Sequence, residues 1–244
     1  MPTAHIDTFT ADHLPPKDQW PELLFEGAEL QALAARAQLN CAAELLDVAV
    51  QKGWGDRPCI VSDTIRWTYA ELLERSNRVA QVLVQDMGLV PGNRVLLRSP
   101  NTPMMAACWL GVVKAGGVAV PTMPLLRARE LRVIIDKAQI SHALCDAALA
   151  EELRTAQSGS VLHQVRWITG DTAAQASSAA STTSLEWAMA QHSRHFSAVP
   201  TAALVLRSKA VTMRGNTKAS AVATCVSASV TSWASVSAAW ARMP

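Results

Sequence analysis

No acidic residue follows Glu186, although six Lys or Arg do; all 20 Asp and Glu of the 244 residues lie at or before it. The formal charge of +2 therefore hides two unlike parts, residues 1–186 with 16 basic against 20 acidic groups and 187–244 with six against none. Arg194, Arg207, Lys209, Arg214, Lys218 and Arg242 are scattered and form no basic run. No aromatic stacking platform or binding motif accompanies them, so no nucleic-acid partner is expected. Glycine is scarce where phosphate chemistry needs it: Gly215 alone follows Gly170, and neither G-x-x-x-x-G-K-[ST] nor G-x-G-x-x-G occurs. No G-x-S-x-G elbow supports hydrolase chemistry. Cys41, Cys59, Cys108, Cys145 and Cys225 are odd in number and widely spaced, which reads as reduced core thiols. Met1–Thr10 has neither a basic start nor an apolar run, so no secretory signal is expected and the expected location is cytoplasmic. His192-x-x-His195 is the one histidine pair at helical spacing, and without a third ligand it makes no metal site.

What is present is a regular alternation of strands and helices. After an irregular lead-in with Pro15-Pro16 and a weak helical pattern over 21–36, Asn40 caps a helix over 41–50 that Gly53 stops. Pro58–Asp63 and Arg66-Trp67 flank a polar turn and predict a hairpin. Thr68-Tyr69-Ala70-Glu71 then forms a capping box for a helix that Gly88 ends. Downstream come strand 94–99, apolar helix 103–114, strand 118–121, helix 128–138, strand 142–146, helix 147–155 and strand 165–169. Consecutively apolar strands separated by helices predict an α/β fold with a predominantly parallel sheet flanked by helices.

Gly116-Gly117 follows a helix instead of opening one and reads as a C-cap and tight turn. Met104, Met105 and Trp109 read as core. Open α/β sheets bind ligands at the carboxyl ends of their strands, which here makes Ser99, Asn101, Thr122 and Met123 the candidate substrate-facing residues. Residues 170–184 are small and polar, a linker pattern. Ala219–Ala241 is uncharged for 23 residues, but eight are Ser or Thr and none is Leu, Ile or Phe, so no transmembrane segment is expected.

Three segments carry a family resemblance: Trp67-Thr68-Tyr69-Ala70-Glu71-Leu72, Pro91-Gly92-Asn93-Arg94-Val95, and the run from Leu110 to Pro121 (LGVVKAGGVAVP). Their order and spacing resemble the N-terminal subdomain of AMP-forming acyl-CoA synthetases, over roughly residues 20–200. Leu39–Asp47 (LNCAAELLD) and Thr122–Leu131 (TMPLLRAREL) resemble the aromatic-acid branch, 2-aminobenzoate-CoA and benzoate-CoA ligases in particular. The resemblance implies an acid–thiol ligase of aromatic-compound degradation. Such an enzyme converts an aromatic acid with ATP and Mg2+ to an acyl-adenylate, and then with coenzyme A to the thioester.

The family supplies its triphosphate cradle as a Ser/Thr/Gly-rich loop ending in Lys-Gly, shortly after the position of Pro200. Thr201–Lys209 (TAALVLRSK) has no glycine there, so no catalytic, cofactor-binding or metal residue is carried over, and none of the cofactors is expected to bind well. The expected organisation is a lead-in over 1–38, an incomplete ligase subdomain over 39–200, and a low-complexity basic tail over 201–244. From Leu204 on, 26 of 41 residues of that anomalous tail are Ala, Ser, Val or Thr, which suggests truncation with a frameshift. The expectation is a chain inactive alone. The alternative is a non-enzymatic binding module whose tail docks a partner or membrane surface. Oligomeric state is not legible.

Overall fold

The computed structural model describes residues 5–21, 26–36, 38–170, 184–199 and 201–202; the linker over 171–183 and the tail from 203, with the expectations attached to them, lie outside the described residues. Its centre is a four-stranded parallel sheet of β4 (Arg94–Arg98), β5 (Val118–Thr122), β6 (His142–Asp146) and β7 (Gln164–Ile168), in the order β5-β4-β6-β7. The α/β expectation with a predominantly parallel sheet is met. Two small antiparallel pairs join β1 (Gln38–Leu39) to β8 (Thr201–Ala202), and β2 (Pro58–Val61) to β3 (Arg66–Thr68).

Period-two alternation along β4 sends its side chains to two cores. Val95 and Leu97 face α3 (Tyr69–Gln81), α4 (Pro103–Lys114) and α7 (Leu185–Ala190), whereas Leu96 faces α5 (Ala128–Lys137) and α6 (Ala150–Gln157). Each fully buried Leu or Ile contributes roughly 1.5–3 kcal/mol, so both faces of the sheet are held by burial. Parallel strands covered on both sides are the arrangement that their unbroken apolar runs demand.

Helix starts follow their caps. The Thr68 hydroxyl accepts from the Glu71 N–H while the Glu71 carboxylate accepts from the Thr68 N–H, closing the capping box of α3. The Asn40 Oδ1 accepts from the N–H groups of Ala42 and Ala43, and its Nδ2 donates to the carbonyls of Val113 (2.9 Å) and Val199 (2.8 Å). One side chain therefore starts the helix over 41–54 and ties it to α4 and to the returning chain. That helix is wound with two π-type stretches, Ala43–Asp47 and Val50–Trp54, and its positive-φ residue is Gly53.

The weak helical pattern over 21–36 becomes the two-turn α2 (Ala28–Ala34), and a short α1 (Phe9–Asp12) sits within the lead-in. After α7, residues 193–195 are strapped across α3 by amide side chains. Asn77 donates to the Arg194 carbonyl and Gln81 to the carbonyls of Ser193 and His195. Asn77 and Gln81 are thus buried polar groups on a helix that also buries Leu72, Val79 and Ala80.

Candidate functional site

The connection from β4 runs through α4 on one face of the sheet, and that from β6 runs through α6 on the other. Adjacent strands whose connections diverge leave a crevice at their carboxyl ends. Ser99 follows β4 and is 4% exposed, with its Oγ unpartnered; Asn101 is exposed in the bend that leads to the Thr102 cap of α4. Thr122 ends the neighbouring β5 and donates from Oγ1 to the Leu97 carbonyl at 3.2 Å, while Met123 is 63% exposed. The four candidate residues therefore gather at the carboxyl ends of two adjacent strands. The divergence itself falls on the other side of β4, where Asp146 ends β6 and caps the turn that follows by accepting from the Ala148 N–H. Strand order, which a sequence pattern does not carry, is what brings Asp146 to this end.

Arg98 is a buried residue at this end of the sheet that pattern reading missed. It ends β4 on the α5/α6 face, is 1% exposed, and among the described residues its guanidinium donates to backbone carbonyls. Nη1 donates to the Met123 carbonyl (3.0 Å), and Nη2 to those of Pro124 (2.9 Å) and Leu126 (2.8 Å), so the turn after β5 is held by three bonds from one side chain. The available signal was an arginine at each end of a short strand whose three middle residues, Val95, Leu96 and Leu97, are apolar.

Beside it lies a cleft of about 280 Å3 whose floor includes Arg98, with Leu125, Leu126 and Leu149 as apolar wall and Arg127 and Glu152 at the rim. The Glu152 carboxyl is held below its ordinary value by the hydrogen bond from Arg127 and then by the N–H of Ala128 at the start of α5. Burial pushes the Cys145 thiol, at the end of β6, up to about 12, so it is a packed sulfur and not a nucleophile.

Among the described residues no group of three His, Cys, Asp or Glu could hold a metal ion. His192 donates from Nε2 to Asp86 Oδ1 (3.0 Å), and the His195 carbonyl accepts from Gln81, so that pair is structural. Among the described residues, the cysteines at 41, 59, 108 and 145 form no disulfide. No helix among the described residues is long and apolar enough to cross a membrane. The described residues therefore offer strand ends, a fixed turn and a cleft with a mixed polar and apolar lining, but no cradle fitting a triphosphate with its Mg2+.

Comparison with known proteins falls on this same region. The AMP-binding enzyme family profile matches residues 47–197. The chain is 31% identical over 112 residues to the 3-hydroxybenzoate–CoA ligase of Aromatoleum sp. (strain CIB), covering 46% of this chain and 21% of that protein. It is 29% identical over 111 residues to the crotonobetaine/carnitine–CoA ligase of Salmonella paratyphi A, with 43% and 21% covered. Among solved structures, apo MatB from Rhodopseudomonas palustris superposes with a TM-score of 0.53 at 25% identity, over 66% of this chain and 29% of that one. The anthranilate CoA ligase AuaEII shares the fold at a TM-score of 0.59 and 15% identity, over 68% and 30%. The chain thus spans about a fifth of the curated ligases and under a third of the solved ones. With the profile running through more than half of its residues, from the Asp47 helix past α7, the chain belongs to the AMP-binding enzyme family.

Proposed function

We propose that residues 39–200 are the N-terminal subdomain of an ATP-dependent acid–CoA ligase acting on an aryl carboxylate of the benzoate or 2-aminobenzoate type. The observation that carries the reading is the family match over 47–197 on a sheet shared with acyl- and aryl-CoA ligases. The aromatic branch is favoured by the likeness to a 3-hydroxybenzoate–CoA ligase and by the LNCAAELLD and TMPLLRAREL segments. In such a ligase ATP, with Mg2+, activates the carboxylate as an acyl-adenylate, and coenzyme A then displaces AMP.

In this reading the part played by the described residues is shape. Ser99, Asn101, Thr122 and Met123 face the acid at the strand ends, the buried Ser99 hydroxyl offering an unused hydrogen bond and Met123 an apolar, polarizable contact for a ring. The described residues do not fit the nucleotide. Thr201–Lys209 brings no glycine, and the 244 residues by themselves do not adenylate.

Two assays test these statements apart. The first is acid-dependent exchange of pyrophosphate into ATP by the chain alone, with benzoate, 2-aminobenzoate and 3-hydroxybenzoate; the expected result is none, and exchange with any of the three overturns the inactivity. The second is a chimera in which residues 47–197 replace the matching segment of the Aromatoleum 3-hydroxybenzoate–CoA ligase. Aryl-CoA formation by that chimera is expected. A folded chimera that makes an alkanoyl-CoA but no aryl-CoA sinks the aromatic assignment.

A further inference from the structure

We propose that the amino-terminal end of the parallel sheet is a docking surface for an Asp-x-Phe peptide segment, occupied in this chain by its own residues 7–9. The surface is the turn Pro91-Gly92-Asn93-Arg94 that opens β4. The N–H groups of Ile6 and Asp7 both donate to the Pro91 carbonyl, at 2.9 and 3.0 Å. The Asp7 Oδ2 accepts from Asn93 Nδ2 (2.7 Å) and from Arg94 Nη1, while its Oδ1 caps α1 by accepting from the Phe9 N–H (3.0 Å). The Arg94 guanidinium lies over the Phe9 ring, 4.4 Å from its centroid, and His13 stacks on that ring at 4.0 Å. Ile6 is 74% exposed, so the side chains read are the carboxylate and the aromatic two residues on.

Three features mark this as a built receptor and not a strand of coil lying on a surface. Gly92 has φ +96°, and a methyl group at its Cα would overlap the Asp7 carbonyl oxygen, so the turn is shaped for close backbone approach. Arg94 is also anchored by groups outside the segment: Nε donates to the Ala138 carbonyl and Nη2 to that of Gln139, both at 2.8 Å. Among the described residues Asp7 supplies the one carboxylate hydrogen-bonded to this almost buried guanidinium. A cation so placed selects for an anion, because leaving it unpaired is costly. The segment comes from outside the profile match and reaches the sheet at the end opposite Ser99 and Asp146, so it acts as a clasp and not as part of the candidate acid site.

The test uses the full chain and a synthetic peptide of residues 5–21. Asp7→Ala and Phe9→Ala are each expected to lower Tm by roughly 4–10 °C and to speed hydrogen exchange at the Asp7 and Phe9 amides at least roughly tenfold. The peptide added in trans should bind these variants saturably and recover the lost Tm. It should not bind wild type, whose tethered copy holds the surface at a high effective concentration. A peptide carrying Asp7→Asn should fail, and so should the native peptide against Arg94→Lys. The proposal is overturned if the variants keep wild-type exchange at residues 7–9, or if the segment is released but the native peptide binds neither variant. Because Asp7→Ala strands a buried cation, Phe9→Ala keeps the test open should the first variant not fold.

Discussion

Lys114, with its side chain wholly out of solvent at the end of α4, donates to both carboxylate oxygens of Asp47, at 2.8 and 2.7 Å. Burial drives the Lys114 pKa below its ordinary value, and Asp47 pulls part of that back. Removing Asp47 leaves an ammonium buried alone, so Asp47→Ala should cost about 3–5 kcal/mol in urea unfolding. Lys114→Met removes both the charge and its desolvation penalty and should be close to neutral. The sign with pH follows: a lysine whose folded pKa is depressed sheds its proton earlier in the fold, so the Asp47→Ala deficit should shrink as pH rises toward the unfolded value of 10.5. Equal losses in both variants would mean that packing, not charge, is what the pair supplies.

His142 opens β6 as a buried neutral imidazole. Its Nε2 sits 3.0 Å from the Met87 carbonyl and must donate, which leaves Nδ1 to accept from the Ser141 hydroxyl at 2.8 Å. Burial lowers its pKa first, the Met87 carbonyl opposes this, and His163 and Arg94 lower it further. His5 is lowered by burial too, against a smaller pull from Asp7. The unfolded chain takes protons near 6.5 and the folded one only below that, so stability is complete above pH 6.5 and falls as pH drops toward the folded values. Urea midpoints at pH 8 and pH 5.5 should show this loss, and His142→Gln should flatten it. An unchanged slope in that variant would place the proton elsewhere.

Local chemistry made most of the sheet legible. The Thr68 capping box, the Asn40 cap and the apolar runs of β4 to β7 are written in neighbouring residues, and the structure reproduces them to within a residue or two. What sequence did not show depends on distant partners. Arg98 and Lys114 look like surface charges until the carbonyls of 123–126 and the Asp47 carboxylate are placed around them. Asp7 lies in a polar lead-in with no periodicity, and only Arg94, 87 residues on, gives it a role. The strap over α3 rests on Asn77 and Gln81, whose buried amides do not announce what they bind.

Gly111 shows the same limit. It sits mid-helix in α4, where glycine is unfavourable by about 1 kcal/mol relative to Ala. Its reason is the crossing with α3, since a Cβ there would stand 2.6 Å from Val79 Cγ1 and 3.0 Å from the Ser76 carbonyl. Gly111→Ala should therefore destabilise by about 1–3 kcal/mol despite the better helix propensity. Pairing it with Val79→Ala, which removes the obstructing methyls, should recover part of that loss. Additive losses in the double variant would show that the contact is not the cause.

Arg98 invites the last prediction, because it bears on the candidate acid site. Holding three carbonyls with one guanidinium desolvates a charge, and an apolar side chain of similar volume avoids that cost. Arg98→Met is thus expected to fall within about 1.5 kcal/mol of wild type in global stability, while the Met123–Leu126 turn loses the three bonds that fix it. Hydrogen exchange should quicken over 123–127 and nowhere in the β6 or β7 strands, and trypsin should cut after Arg127 sooner. Arg98→Lys, with rotatable donors on a compact ammonium, should restore the turn in part. If Thr122 and Met123 face the acid as proposed, the same substitution in the chimeric ligase should raise KM for the aryl acid with kcat for adenylation changed less, because the turn that follows them is displaced. A uniform acceleration of exchange through the whole sheet would instead make Arg98 a core residue with no particular hold on the acid-facing edge.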